Sequence, residues 1–85
     1  MTRLSELPNI GPEIERQLTA VGIDTPQALR EAGSRQAWLR IFAVDASACY
    51  NRLLGLEGAV RGIRKKELPQ DVRAELKQFY TVQKG

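Results

Sequence analysis

Apolar residues recur along this chain at helical spacing, and no stretch alternates polar with apolar over the length of a strand. Ile10, Ile14, Leu18 and Val21 fall on one side of a helix predicted from about Pro12 to Ala20, with Gly22 just past its end. A short helix around Arg3–Leu7 is expected before it. Thr25 followed by Pro26 is a good N-cap and first-position pair for a third helix, which Gly33 should terminate. Ser34 can cap a fourth, where Trp38, Leu39, Ile41 and Phe42 supply the bulkiest apolar group. Asp45 or Ser47 opens a fifth reaching about Ile63, and Pro69 starts a last one with Val72, Leu76 and Phe79 at helical spacing. The tail from about residue 81 is expected to fray. The pattern predicts an all-α, compact bundle of five to six short helices. Its core would be anchored by Trp38 among Leu18, Leu39, Phe42, Leu53, Leu56, Val60 and Leu76.

The predicted fifth helix carries two unlike faces. Cys49, Leu53, Leu56, Val60 and Ile63 form one apolar stripe, which makes Cys49 a small core hydrophobe. Ala48, Gly55, Gly58, Ala59 and Gly62 fall nearly opposite. A glycine inside a helix costs about 1 kcal/mol relative to alanine. Gly55, Gly58 and Gly62 therefore predict a face where another backbone approaches closely. That neighbour is either another helix of the same domain or a second protein chain, so homodimerisation stays open.

Length and composition narrow the function classes. Eighty-five residues make a single domain, 1–85, with 42% hydrophobic and 27% charged residues, an ordinary globular balance. No apolar run is long enough for a signal peptide or a membrane span, so no membrane role and cytoplasmic residence are expected. One cysteine and no histidine exclude an internal disulfide, a Cys/His zinc site and imidazole chemistry. No nucleophile has a base beside it, so the residues predict no catalytic site, no metal and no cofactor. Residues 1–51 hold five Arg/Lys against six Asp/Glu, and residues 52–85 hold eight against four. The excess is densest at Arg61, Arg64, Lys65 and Lys66, where it could meet nucleic acid, an acidic protein or only water. The tripeptide ELP occurs at 6–8 and 67–69, with chance as its simplest explanation. Trp38 and Phe42 have core spacing, and Tyr50 and Tyr80 are too separated in sequence to suggest a stacking platform.

The stretch LPNIGPEIERQLTAVGI, Leu7 to Ile23, holds a tight turn opening into a helix. Such a turn can bind phosphate, because free N–H groups and the positive end of the helix dipole face outward. Gly11 suits a turn needing positive φ or close backbone approach. Pro12, however, has no N–H, and Glu13 and Glu15 put two full negative charges in the first helical turn. These residues favour a structural turn over a phosphate clamp.

LPNIGPEIERQLTAVGIDTPQAL is similar to helix-hairpin-helix domains, whose usual form reads closer to LPGIGPKTAEKLLEAGI. Together with LLGLEGAVRGI and the following ELP, the chain resembles the C-terminal domain of the TfoX/Sxy family of competence regulators, from Leu4 to about Leu76. The resemblance implies an all-α fold with one helix-hairpin-helix unit. It also implies a non-enzymatic regulatory role whose partner is the transcription machinery or a DNA-bound regulator such as the cyclic-AMP receptor protein. DNA contacts of the wider superfamily would map to Asn9, Ile10, Gly11 and Glu13. Only Ile10 and Gly11 match the usual pattern, since Asn9 stands for a glycine and Glu13 for the lysine. Two functions follow as expectations: an adaptor acting by protein contact, or a weak, sequence-independent DNA binder using Arg61–Lys66 and the backbone at Ile10–Gly11.

Overall fold

The computed structural model describes residues 3–85, which contain four α-helices, two 3-10 turns and no strand. The helices are α1 (Pro12–Ala20), α2 (Pro26–Val44), α3 (Tyr50–Arg61) and α4 (Gln70–Lys84), and the 3-10 turns span Leu4–Glu6 and Lys65–Glu67. None of the helices is long and apolar enough to cross a membrane.

The helix ends follow local chemistry. Thr25 caps α2 by accepting from the Ala28 N–H at 3.0 Å, with Pro26 in the first turn. α1 ends where the Ile23 N–H reaches back to Leu18 O at 2.8 Å, with Gly22 at φ +90°. α3 ends the same way, the Ile63 N–H bonding Gly58 O at 2.9 Å around Gly62 at φ +77°. The dipeptide Gly-Ile thus closes two helices with one motif. The expected third and fourth helices run together as α2, bent at Gly33, where φ +82° and ψ 162° lie outside any helix. No loop separates the halves, and the first expected helix is a single 3-10 turn. Both facts reduce the number of α-helices to four.

Two further expectations are corrected. α3 starts at Tyr50, five residues after Asp45, which caps the end of α2 instead and accepts from the Ser47 N–H at 3.0 Å. A side chain that bonds its own neighbouring backbone in this way favours a turn over helix. Cys49 is consequently the N-cap of α3, with extended φ −108° and ψ 168°, and is exposed rather than part of the apolar stripe. Its carbonyl accepts from Trp38 Nε1 at 3.1 Å. α4 runs past residue 81 to Lys84, whose ammonium bonds Ala46 O at 2.9 Å and lies over the rings of Phe42 and Tyr80.

α3 is the central element. It packs against α2, α4 and the second 3-10 turn. Leu53, Leu54, Leu56, Gly55, Gly58 and Ala59 are all buried. The Ser34 hydroxyl, itself buried beside the α2 bend, donates to Glu57 Oε1 at 2.5 Å and ties the two helices together. Trp38, Leu18, Leu53, Leu56 and Leu76 are fully buried, while Leu39, Phe42 and Val60 are half-buried around them. Tyr50 and Tyr80 are also half-buried. They lie 30 positions apart in the chain but only 5.8 Å apart in space, and the Tyr50 hydroxyl donates to Arg73 O at 3.0 Å.

Candidate functional site

The Leu7–Ile10 turn lies directly over the glycine face of α3. The turn closes through the Ile10 N–H and Leu7 O at 3.3 Å, and Asn9 within it has φ +69°. Asparagine is among the few residues other than glycine that tolerate this left-handed conformation. Asn9 therefore meets the backbone demand that a glycine would meet here, and adds a side chain that glycine lacks. Its Nδ2 donates to Ile63 O at 3.0 Å and, more weakly, to Gly55 O at 3.4 Å. Its Oδ1 accepts from the Lys65 N–H at 3.1 Å. One amide thus joins the Leu7–Ile10 turn, the body of α3 and the segment that follows α3.

The glycines make room for this amide. A Cβ on Gly58 would lie 2.5 Å from Asn9 Nδ2 and 2.7 Å from Ile63 O, and one on Gly55 would sit 3.4 Å from Asn9 Cβ. The close neighbour expected along this face is a turn of the same chain. Gly62, expected on that face inside the helix, is the left-handed residue that ends it. Gly11 also differs from expectation: its φ is −92°, in the extended region, and no atom lies within 4 Å of where its Cβ would be. It is the N-cap of α1, and the residue with positive φ is Asn9.

The two acidic residues of α1 have separate uses. Glu13 is exposed and pairs with Arg16. Glu15 reaches back to accept from the Ser5 N–H at 3.1 Å and from Arg3 Nη2 at 2.9 Å, fastening the first 3-10 turn to α1. The Ser5 backbone bond, followed by the Arg3 bond, holds the Glu15 carboxyl below its ordinary value of 4.5. A depressed folded-state pKa gives stability that is present above the unfolded value and lost as pH falls through the folded one. Asp45 behaves alike, chiefly through Ser47, as does Glu57, where bonds from Ser34 and Arg61 outweigh the opposing effect of burial. Stability should therefore fall as acid is added below about pH 4.5. Glu15→Gln should flatten part of that acid limb in denaturation curves taken at successive pH values.

The basic segment lies beside the turn. Arg61 is engaged by Glu57 of its own helix at 2.6 Å, while Arg64 and Lys66 are exposed and Lys65 is half-buried. Arg73 supports the segment from α4, with Nη2 on Lys65 O at 2.9 Å and Nε on Leu68 O at 3.2 Å. An open polar groove runs between the two 3-10 turns, with Leu7, Pro8 and Asn9 on one wall and Ile63, Arg64 and Glu67 on the other. The walls are copies of one design. In Arg3-Leu4-Ser5-Glu6-Leu7-Pro8 and Arg64-Lys65-Lys66-Glu67-Leu68-Pro69, each glutamate accepts from the backbone N–H of its own arginine. The repeat is thus the hexapeptide R-x-x-E-L-P encoding one turn twice, a pattern that the shared ELP alone understates.

Of the predicted site residues, Asn9 and Arg64 line this groove, Lys65 is joined to Asn9 through its backbone N–H, and Lys66 beside it in the chain is exposed. Ile10 is buried, so only its backbone can contribute to a surface. Gly55 and Gly58 lie beneath Asn9. Arg73 and Glu15 were not among the predicted residues. Arg73 has no local signal, but Glu15 stands ten residues from Ser5, within reach once α1 folds back.

The chain matches the family model described as the TfoX C-terminal domain over residues 1–80. It is 38% identical over 77 residues to the protein Sxy of Escherichia coli strain K12, a match covering 91% of this chain and 37% of Sxy. The chain thus corresponds to little more than a third of that relative. Two crystal structures of Listeria monocytogenes proteins share the fold. One, of an uncharacterized protein in a triclinic form, is 46% identical with a TM-score of 0.98, covering 99% of this chain and 96% of that one. The other, of a protein of unknown function in a tetragonal form, is 48% identical with a TM-score of 0.92, covering 94% and 98%. The chain belongs to the TfoX/Sxy family, as its C-terminal domain.

Proposed function

We propose that this domain is a non-enzymatic, cytoplasmic regulatory adaptor that acts through protein contacts in transcription regulation, in keeping with its family's link to competence. The observation that carries this reading is the internal use of the turn a helix-hairpin-helix unit would offer to phosphate. The Asn9 amide is committed to Gly55, Ile63 and Lys65. Pro12 offers no N–H, and Glu13 and Glu15 put two acidic residues in the first turn of α1. The partner expected is the transcription machinery or a DNA-bound regulator. Affinity capture with RNA polymerase and the cyclic-AMP receptor protein should recover one of them, and recovery of neither contradicts the transcriptional version.

A second reading is a weak, sequence-independent DNA binder using Arg61, Arg64, Lys65, Lys66 and the backbone at Ile10–Gly11. It is favoured by the bond between Lys65 and Asn9, which puts the two candidate segments side by side. Such contacts fix position on the phosphate backbone without reading bases, and they weaken steeply with salt. Titration of the labelled domain with duplex DNA at low salt should then shift both segments, and the shifts should vanish as salt rises. No shift at low salt removes this reading.

A further inference from the structure

We infer that Asn9 is a positioning residue, one that fixes the Arg64–Lys66 turn beside the Leu7–Ile10 turn so that the two form a single edge for a nucleic-acid backbone. The DNA part of this inference rests on the second reading above; the positioning part does not.

Asn9 does not itself offer a contact to a ligand. Both amide ends are engaged, Nδ2 with Ile63 O and Gly55 O, and Oδ1 with the Lys65 N–H. These bonds cross 46 to 56 positions of sequence and bracket the start of the basic turn. Arg73 holds the same turn, but only through the carbonyls of Lys65 and Leu68, and from α4. The Arg73 bonds tie the turn to the helix after it, whereas the Asn9 bonds set its distance from the Leu7–Ile10 turn. The exposed cations, Arg64 and Lys66, flank the residue whose N–H Asn9 holds.

A loop whose backbone must be ordered on binding loses affinity, because the entropy of ordering opposes association. A turn already held in place avoids part of that cost. Sequence alone would read Asn9 as a lost glycine at a DNA-contacting position. The geometry gives it another use, in which the asparagine adds order to a neighbouring basic segment.

The test is Asn9→Gly. Glycine accepts positive φ more readily than asparagine, so the Leu7–Ile10 turn keeps its shape while the three side-chain bonds disappear. Hydrogen exchange followed by NMR should show faster exchange of the Lys65 amide in the variant, relative to the core amides of Leu53 and Leu56. A merely global loss of stability would accelerate all three together. A short DNA duplex at low salt should bind the variant roughly five-fold more weakly, equivalent to about 1 kcal/mol. It should also no longer shift the Ile10–Gly11 and Arg64–Lys66 signals in parallel. Unchanged relative exchange at Lys65 overturns the positioning role whatever DNA does. If Lys65 exchange rises but the wild type binds no DNA, positioning stands and the nucleic-acid reading falls. Equal DNA affinity of the two proteins overturns the claim that the pair of turns acts as one edge.

Discussion

Replacing Gly58 by alanine destabilises the domain by about 2–3 kcal/mol, even though alanine is the better helix former by about 1 kcal/mol. The sign is set by what lies over the helix. A Cβ at this position would come within 2.7 Å of Ile63 O and 2.5 Å of Asn9 Nδ2, with the Lys65 nitrogen at 3.2 Å. Two of these atoms belong to backbone in a closed turn, so relief requires the α3 terminus and the basic turn to move together. That movement breaks the Asn9 bonds, each worth about 1 kcal/mol net. Gly55 is a milder case, since its nearest neighbour would be Asn9 Cβ at 3.4 Å, an ordinary contact. Denaturant unfolding should rank Gly58→Ala well below both Gly55→Ala and the wild type.

The largest loss is expected from Trp38→Ala, about 3–5 kcal/mol, against the 5–15 kcal/mol that typically holds a domain together. The other four aromatic residues of the chain gather around this indole. Phe42 stacks on it with ring centres 4.8 Å apart, and Phe79 and Tyr80 meet it edge-on at 6.1 and 5.7 Å. Tyr50 joins through Tyr80, and Lys84 lies over Phe42 and Tyr80. Truncation empties the centre of this cluster and also leaves the Cys49 carbonyl without its indole donor, at the point where α3 begins. Thermal melts followed by circular dichroism should show a midpoint lowered by roughly 15–30 °C. Trp38→Phe keeps a ring against Phe42 and should lose much less. A melt of Trp38→Ala within a few degrees of the wild type would contradict the anchoring role.

The fold was legible where its determinants are local. Pro12 and Gly22 bracket α1, Thr25 and Pro26 open α2, Gly33 marks its bend, and Pro69 precedes α4, because caps and φ constraints act within a turn of the residue that imposes them. Misplacements arose where a local signal had two outcomes. Asp45 and Ser47 are good helix starters, but together they form a turn that delays α3 to Tyr50 and lifts Cys49 off the apolar stripe. The candidate site was legible only in halves. The glycines of α3 announced a close neighbour, but the positive φ of the turn, expected at Gly11, falls on Asn9, and the bonds joining it to α3 and the basic turn span 46 positions or more. Comparison with a glycine-bearing motif made Asn9 look like a loss, when its side chain is what fills the space left by Gly55 and Gly58. The paired arginines ahead of each ELP were the missed clue to the repeated turn.

Gly58 is required because Asn9 occupies the space above it. A double-mutant cycle between positions 9 and 58, read by denaturant unfolding, tests this most directly. Gly58→Ala should cost less when Asn9 is already glycine, with a coupling of about 1 kcal/mol or more. Some cost should remain, because Ile63 O still lies in the path of the new methyl group. Additivity within about 0.5 kcal/mol would mean that the two residues do not sense each other and that Asn9 is not what requires glycine at position 58.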